Sequence, residues 1–348
     1  MQIKKARAAI LAETGKPLVL DAIDFPDTLT FGQVLVKIEY SGICGAQINE
    51  IDAVKGEDKF LPHLLGHEGC GRVVETGPHV TRVRPGQKVC LHWRQAEGIQ
   101  SPTPRYGWKG KSLNAGWVTT FNEYAVVSEN RVTPVPDDMD SRLVPLFGCA
   151  VTTAMGVINN DAKVGIGESV VVYGSGGVGL NVVQFASFVG AHPVIAIDRH
   201  ESKLDMARRF GATHGILAED GADVPALVRQ ILGDKGADVV VETTGSARVI
   251  EQAYDMTQPA GRTILVGVPH KDDKACIYTL PLHFQKVLTG SHGGSVNPGL
   301  VIPRLAGLLQ AGRLGFEGLV THEFPLEQIN DGLDLVRSGH CGRVLISM

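Results

Sequence analysis

The spacing of apolar and polar positions divides the chain into two regions with different predicted architectures. Up to about residue 150, short segments such as GKPLVLDAID and GQVLVKIEYSGI alternate apolar and polar residues and are separated by glycine and proline. Period-two alternation with this punctuation is typical of half-buried β-strands. We therefore predict that the first region is rich in β-structure.

From about residue 150, apolar runs are instead separated by segments of helical length. The runs are VVVYG, VIAID, HGILA, ADVVVET and RTILVGVP. This alternation predicts a parallel sheet with helices on both faces. After about residue 292 come a helix (PRLAGLLQAGRL), the segment FPLEQINDGLDLVRSG and a last strand, RVLISM. We predict a doubly wound α/β domain, residues 151–292, inserted in a β-rich domain of residues 1–150 and 293–348.

The first run of the second region leads into a glycine motif. Gly174, Gly176 and Gly179 fit G-x-G-x-x-G, with a strand before the motif and a helix after it. In such motifs the glycines permit a tight turn, close approach of a pyrophosphate and close helix–strand packing, and the helix N-terminus faces the phosphates. Asp198 ends the next strand, where a carboxylate can accept both ribose hydroxyls and repel a 2′-phosphate. The pattern predicts a dinucleotide site that favours NAD over NADP.

A second set of side chains has the chemistry of a metal site. Cys44 lies in GICGAQ, His67 and Glu68 lie in LLGHEG, and Cys149 lies in LFGCAVTTAMG. Two thiolates and one imidazole would leave the fourth position of a tetrahedral zinc ion open, as in a catalytic site. The alternative is that the cysteines are buried thiols and His67 is a core histidine. Spacing alone leaves both interpretations open.

In sequence order, these motifs resemble those of the zinc-dependent medium-chain alcohol dehydrogenases over nearly the whole chain. The matching segments are GICG, GHEGCGRVVETGPHVTRVRPGQKV, FGCAVTTAMG, VVYGSGGVGLNVVQFA, GRTILVGVP and VTHEFPLEQINDGLDLVRSG. The resemblance implies a Rossmann domain inserted in a GroES-like catalytic domain, with a catalytic zinc on Cys44, His67 and Cys149. It also implies hydride transfer between a primary or secondary alcohol and NAD.

The resemblance assigns further residues to the site. It places Glu68 where a carboxylate can approach or temporarily bind the ion, and it places Asn49 at the position of the relay histidine. The cofactor-binding residues implied by the motif and the resemblance are Thr153, Gly174, Gly176, Gly177, Val178, Gly179, Asp198, Arg199, Lys203, Val266, Gly267, Val268, Ser291, His292 and Arg343. Among these, Thr153 and residues 266–268 are expected near the nicotinamide, Lys203 near the adenosine ribose and Arg343 near the pyrophosphate.

The chain departs from the family pattern next to the first zinc cysteine. Ala46 replaces the Ser or Thr that starts the proton relay, and Gln47 replaces the aspartate that orients the zinc-bound histidine. Our hypothesis is a weakened or rerouted relay that runs through water, Glu68, Asn49 or a substrate hydroxyl.

A second departure lies in residues 91–120, which lack the closely spaced cysteines of the family's structural zinc lobe. We therefore expect one zinc per chain. The basic and aromatic side chains of this segment form either a solvated loop or a surface that recognises a polar or anionic substrate. Four polar side chains favour a hydroxyl-rich substrate such as a sugar, cyclitol or polyol: Gln47, Asn49, Glu68 and His92.

The composition of the chain indicates which kinds of partner and which compartment to expect. The chain has 348 residues, 43% of them hydrophobic, and a formal net charge of −4, which gives no reason to expect nucleic-acid or membrane binding. No secretory signal is evident, and six scattered cysteines favour a reducing cytoplasm over a disulfide framework. The resemblance implies a small-molecule substrate and a homodimer or homotetramer, to which YTLPLHF and the strand near 263–268 could contribute.

Two other functions fit parts of the sequence. A zinc-free quinone or enoyl reductase of the same superfamily would share the fold, but such enzymes normally lack the Cys/His ligand set. A catalytically weak NAD(H)-binding protein is favoured by Ala46 and Gln47. Activity screening with and without a chelator separates these possibilities.

Overall fold

The protein forms two compact units in a computed structural model that describes all 348 residues. One unit comprises Met1–Cys149 and Asn297–Met348, and the other comprises Ala150–Val296. Each is described separately below. No helix combines the length and the apolar character needed to cross a lipid bilayer.

Residues 1–149 are mainly β-structure. The strands are β1 (Lys5–Leu11), β2 (Val19–Asp24), β3 (Gln33–Ile43), β4 (His63–Leu64), β5 (Glu68–Thr76), β6 (Lys88–His92), β7 (Tyr106–Trp108), β8 (Lys111–Leu113), β9 (Tyr124–Ser128) and β10 (Val132–Pro134). The helices are α1 (Gly45–Ile51) and α2 (Val144–Phe147), with a 3-10 turn at Glu129–Arg131. The predicted β-rich first region is confirmed.

Residues 150–296 alternate helices and strands. The helices are α3 (Ala150–Gly156), α4 (Gly177–Phe188), α5 (Glu201–Arg209), α6 (Val224–Leu232) and α7 (Ala247–Met256). The strands are β11 (Val170–Tyr173), β12 (Val194–Asp198), β13 (His214–Leu217), β14 (Ala237–Glu242), β15 (Thr257–Leu265) and β16 (Val287–Gly290). A π-helical turn lies at Val157–Asp161, and 3-10 turns lie at Leu280–Phe284 and Gly293–Ser295.

The C-terminal residues return to the first unit. They form α8 (Pro298–Gln310), β17 (Val320–Pro325), a 3-10 turn (Leu326–Gln328), α9 (Ile329–Ser338) and β18 (Arg343–Ser347). Gly339 follows α9 with φ +75°, the left-handed conformation that commonly ends a helix. The last strand pairs antiparallel with β3. The C-terminus therefore completes a sheet begun near the N-terminus.

The first unit contains two sheets. One has the order β4-β1-β2-β7-β8, and the other has the order β10-β6-β5-β3-β18-β17, with β9 also paired to β3. Alternate residues of β3 face opposite ways. Val34 and Val36 pack into a cluster with Val89 and Leu91, whereas Leu35 packs into the cluster that holds Ile10 of β1. Burial on both faces fixes the register of β3, which leads directly to Cys44.

The second unit is a six-stranded parallel sheet with the order β13-β12-β11-β14-β15-β16. Val170, Val171 and Val172 of β11 are all fully buried, as expected for a central parallel strand covered on both faces. The strand order is that of a Rossmann sheet and reverses between β11 and β14. Ligands of such sheets bind beyond the carboxyl ends of the strands at this point. The α/β prediction is confirmed.

Candidate active site

The glycine motif lies where the Rossmann order reverses. β11 ends at Tyr173, Gly174 has φ +93°, and Gly176 precedes the first turn of α4, which contains Gly177 and Val178. A Cβ atom on Gly179 would lie 1.8 Å from the carbonyl oxygen of Gly174. Only glycine allows this close approach of helix to turn, which is the role the motif predicts for its third glycine.

The Asp198 carboxylate is fixed beside the glycine turn. One oxygen accepts a hydrogen bond from the backbone N–H of Ser175 at 2.7 Å, and the other accepts one from the N–H of His200 at 3.0 Å. Two backbone donors hold the carboxylate at the carboxyl end of β12. Of the two expected neighbours on this side of the sheet, Arg199 is exposed and Lys203 of α5 is buried.

The other cofactor candidates of the second unit lie in two places. Val266, Gly267 and Val268 directly follow β15, and the N–H groups of the first two donate to the carbonyl oxygen of Glu242 at 2.8 and 3.1 Å. A ligand could therefore use the carbonyl groups of this stretch but not those two amides.

Ser291 and His292 follow β16. The hydroxyl of Ser291 donates to Asp161 at 2.5 Å and accepts from the N–H of Gly294 at 2.9 Å, while His292 is exposed. Thr153 is buried in α3, and a Cβ on Gly294 would lie 2.4 Å from its carbonyl oxygen. These contacts show where the side chains lie, and their roles toward the nicotinamide stay predictions.

The three predicted zinc ligands converge within the first unit. One ligand atom each from Cys44, His67 and Cys149 lies within 4.8 Å of the other two, and the two sulfur atoms are 3.9 Å apart. Nε2 of His67 is buried without a hydrogen-bond partner. An orphaned imidazole nitrogen facing two thiols fits a metal ion that takes sulfur and nitrogen ligands. The donor set therefore fits zinc.

Local structure places each ligand at the end of an element. Cys44 follows β3 and precedes α1, His67 directly precedes β5, and Cys149 lies between α2 and α3. Gly66 has φ +88°, and a Cβ there would lie 2.3 Å from the hydroxyl oxygen of Thr120. A tight glycine turn thus positions His67 at the head of β5.

Gln47, in the first turn of α1, connects two of the ligands. Its Oε1 accepts a hydrogen bond from the backbone N–H of Cys44 at 2.8 Å, and its Nε2 contacts Nδ1 of His67. The side chain is 1% exposed. The expectation that a neutral amide orients His67 agrees with this contact.

The two buried thiols and the half-buried imidazole of His67 shift one another's pKa. The hydrogen bond with Cys149 lowers the pKa of the Cys44 thiol well below its ordinary value, and the same contact raises the pKa of Cys149. Burial opposes a charged His67, but the adjacent Cys44 sulfur outweighs it and raises the pKa of the imidazole. Cys44 is therefore the more acidic thiol of the pair.

Glu68 lies beside this group but is held by another residue. Its Oε1 accepts a hydrogen bond from the guanidinium of Arg343, and its Oε2 is buried without a partner. Burial is the main factor that raises the pKa of Glu68, and Arg343 partly offsets it. The structure thus brings Arg343 to Glu68. A metal-binding role for Glu68 and a pyrophosphate role for Arg343 stay predictions.

His92 does not present a polar group to a substrate. It is fully buried, its Nδ1 is 2.8 Å from the carbonyl oxygen of Arg94, and its Nε2 is 2.9 Å from the hydroxyl of Thr133. Burial lowers its pKa to about 4. The interpretation of His92 as a substrate-facing side chain is therefore wrong, because tertiary packing satisfies both ring nitrogens.

The basic residues of the 91–120 segment are partly paired with aromatic rings. Lys109 lies 4.7 Å from the ring centre of Trp108 and 3.5 Å from Asp21. The Arg94 guanidinium lies 5.7 Å from the ring centre of Trp93. These contacts hold two of the basic side chains in place. They do not decide between the two alternatives for this segment, a solvated loop or a surface that recognises the substrate.

Sequence reasoning missed a second group of metal-ligating side chains. One ligand atom each of Glu50, Asp58 and His63 lies within 4.8 Å of the other two, and Nε2 of His63 is 2.7 Å from the Asp58 carboxylate. His63 is buried. No local motif marks the group, because Glu50 lies on α1, Asp58 lies in the loop between α1 and β4, and His63 begins β4.

A Rossmann unit, together with a β-rich unit that contains two cysteines and a histidine around one point, is the architecture of a medium-chain dehydrogenase. The profile described as alcohol dehydrogenase GroES-like domain matches residues 30–137, and that described as zinc-binding dehydrogenase matches residues 177–309. S-(hydroxymethyl)glutathione dehydrogenase from Escherichia coli O139:H28 is 33% identical, with 98% of this chain and 99% of the relative covered.

Solved structures agree with this comparison. Benzyl alcohol dehydrogenase from Acinetobacter calcoaceticus superposes with a TM-score of 0.89 at 28% identity, covering 99% of this chain and 100% of that one. An alcohol dehydrogenase zinc-binding domain protein from Burkholderia ambifaria gives a TM-score of 0.90 at 28% identity, with 99% of each chain covered. The chain belongs to the zinc-type alcohol dehydrogenase family of the medium-chain dehydrogenase superfamily.

Proposed function

We propose that the protein is an NAD-dependent alcohol dehydrogenase that holds one zinc ion on Cys44, His67 and Cys149. Family membership supports the reaction class. The observation that carries the site assignment is the convergence of the three ligand atoms with Nε2 of His67 left unpartnered. Three protein ligands leave a fourth position for a substrate oxygen.

Each group in the proposed site has a separate role. Bound zinc supplies Lewis-acid polarisation of an alcohol or carbonyl oxygen, and the nicotinamide supplies the hydride chemistry. Cys44 would supply one sulfur ligand, and its lowered pKa favours the deprotonated form that a metal ion binds. The turn at Gly174–Gly179 would receive the pyrophosphate, and Asp198, fixed by two backbone N–H groups, would accept the ribose hydroxyls.

The proton released on oxidation needs a path that does not start at residue 46, since alanine has no hydroxyl. Asn49 lies on α1, one turn beyond Cys44, and lines a cavity of about 360 Å³ together with Glu50 and Asp58. We propose that Asn49 orients water along this route. The role of Asn49 as a catalytic residue depends on this proposal.

The substrate is an alcohol of unspecified type. Three of the four polar side chains that favoured a hydroxyl-rich substrate already contact other side chains of the protein. Gln47 contacts His67, Glu68 contacts Arg343 and His92 contacts Thr133. Of the four side chains, only Asn49 still favours a polyol as the substrate. Aromatic alcohols and S-(hydroxymethyl)glutathione, the substrates named for relatives, belong in the same screen.

The assembly and compartment are further proposals. Beside the edge strand β16, exposed apolar side chains form a strip that could join copies of the chain: Tyr278, Leu280, Leu282, Phe284 and Val287. This strip supports a homodimer or homotetramer. All six cysteines are free thiols, which supports a reducing, cytoplasmic compartment.

Metal analysis combined with turnover tests the proposal. We expect about one zinc per chain, and NAD-linked oxidation of at least one alcohol that a chelator abolishes. Cys149→Ser should lose both, whereas the matched control Cys90→Ser, which changes a buried thiol outside the ligand group, should keep both. Zinc retention in Cys149→Ser, or zinc-loaded protein inactive with every alcohol tested, would contradict it.

A further inference from the structure

The orientation of the buried Gln47 amide is determined by its neighbours. The backbone N–H of Cys44 can only donate, so the atom 2.8 Å from it must be the carbonyl oxygen of the amide. The amide nitrogen then faces Nδ1 of His67. An amide NH₂ group can only donate, so Nδ1 has to be the accepting, unprotonated nitrogen of the ring.

This arrangement reverses the usual state of a metal-binding histidine. A neutral imidazole has one protonated nitrogen, and with Nδ1 accepting, the proton lies on Nε2, the atom that faces the two thiols. A histidine that binds a metal through Nε2 normally carries its proton on Nδ1 and donates it to a carboxylate, carbonyl or water. Nε2, the His67 nitrogen that would bind the metal, is therefore the nitrogen that the contact with Gln47 keeps protonated.

We propose that Gln47 holds His67 in the tautomer that opposes metal binding, and that this chain therefore binds its zinc more weakly and exchanges it more readily than it would with a carboxylate at position 47. The inference rests on the proposed zinc site. To bind through Nε2 with a proton on Nδ1, the amide must turn over, which sets its NH₂ group against the N–H of Cys44. In the turned arrangement the amide NH₂ group and the N–H of Cys44 face each other without an acceptor, which is costly because Gln47 is 1% exposed.

A glutamate at position 47 would remove the conflict. Its two oxygens are both acceptors, so one can take the N–H of Cys44 while the other takes Nδ1–H of His67. The side chain has the same length as glutamine, and a negative charge in the first turn of α1 is compatible with the helix dipole.

Zinc affinity measured by competition with a chromogenic chelator tests this directly. We expect Gln47→Glu to bind zinc about 10–100-fold more tightly than the wild type, the usual range for a change in the partner of a ligating histidine. Gly45→Asp is the control for charge alone, because Gly45 is exposed and a Cβ there would meet no atom within 4 Å. Equal affinities of wild type and Gln47→Glu, or an equal gain in Gly45→Asp, would overturn the proposal.

Nitrogen-15 NMR of the zinc-free wild-type protein provides a second readout that needs neither activity nor the variant. With ¹⁵N-labelled histidine, and the His67 signals assigned by their loss in His67→Gln, we expect Nδ1 to resonate as the unprotonated ring nitrogen. A protonated Nδ1 would overturn the proposal even if Gln47→Glu failed to fold. Absence of any zinc binding would defeat the proposed function instead, while the tautomer would still be decided by the spectrum.

Discussion

Glu68 and Arg343 form a buried ion pair although 275 residues separate them in the chain. Glu68 is the first residue of β5 and is fully buried, and Arg343 begins β18 and is 4% exposed. The neighbouring carboxylate raises the pKa of Arg343 against the opposing effect of burial, so the guanidinium stays charged. Each charge depends on the other for compensation.

Glu68→Gln should strongly destabilise the metal-free protein, because it leaves the Arg343 guanidinium buried without a counter-charge. Breaking a buried pair from one side typically costs about 3–5 kcal/mol in the free energy of unfolding. Denaturant unfolding measures this change. Arg337→Gln is the control, since its pair with Asp52 is about one-third exposed on both sides and should cost less than about 1 kcal/mol. Similar losses in both variants would contradict the assignment.

Acidification should destabilise the fold through His92. Burial lowers its pKa to about 4 in the folded state, from an ordinary value near 6.5, so the unfolded chain binds the extra proton more readily. The stability that depends on neutral His92 is complete above the unfolded pKa and is lost as the pH falls toward 4. The full effect is about 3 kcal/mol. His92→Gln should flatten the dependence of unfolding free energy on pH between these values, and an unchanged slope would contradict the prediction.

Asp198→Ala should weaken NAD binding and relax the preference over NADP. The variant loses the acceptor for the ribose hydroxyls and the negative charge that repels a 2′-phosphate. Loss of hydrogen bonds to a charged group costs about 1.5–3 kcal/mol, or roughly 10–100-fold in affinity for NAD. Titration calorimetry with both dinucleotides measures the change. Asp205→Ala, on the exposed face of α5, is the control. An unaltered ratio of the two affinities would rule out the proposed role.

The fold and the nucleotide site could be predicted because their signals are local. The strand before Gly174, the helix after it and Asp198 at the next strand end lie within one short stretch, where sequence period and chemistry coincide. The metal ligands were different. Cys149 lies far from Cys44 and His67 in sequence, and only the resemblance joined them before the structure brought their atoms together.

The contacts that the sequence did not reveal are all set by tertiary packing. The partner of Arg343 depends on the pairing of β18 with β3, and the burial of His92 depends on its register opposite Glu68 in the pair β5–β6. A single sequence carries no signal for such pairings. The interpretation of His92 as a substrate-facing side chain failed for this reason.

Ala46→Ser should restore a hydroxyl at the position where relatives start a proton relay. If proton release limits turnover, kcat should rise by about 10-fold or more, since positioned acid–base groups typically contribute at least that much. The pH–rate profile should shift with it. Asn49→Ala should then lower kcat less in the Ala46→Ser variant than it does in the wild type. An unchanged kcat and pH profile in Ala46→Ser would refute the rerouted relay.

We propose that Cys44, His67 and Cys149 hold a single zinc ion with an open fourth position. Zinc K-edge X-ray absorption spectroscopy of the purified protein measures that coordination sphere directly. We expect two sulfur ligands at about 2.3 Å and one imidazole nitrogen at about 2.0–2.1 Å, with a light atom in the fourth position. Four sulfur ligands, or a sphere without sulfur, would contradict it.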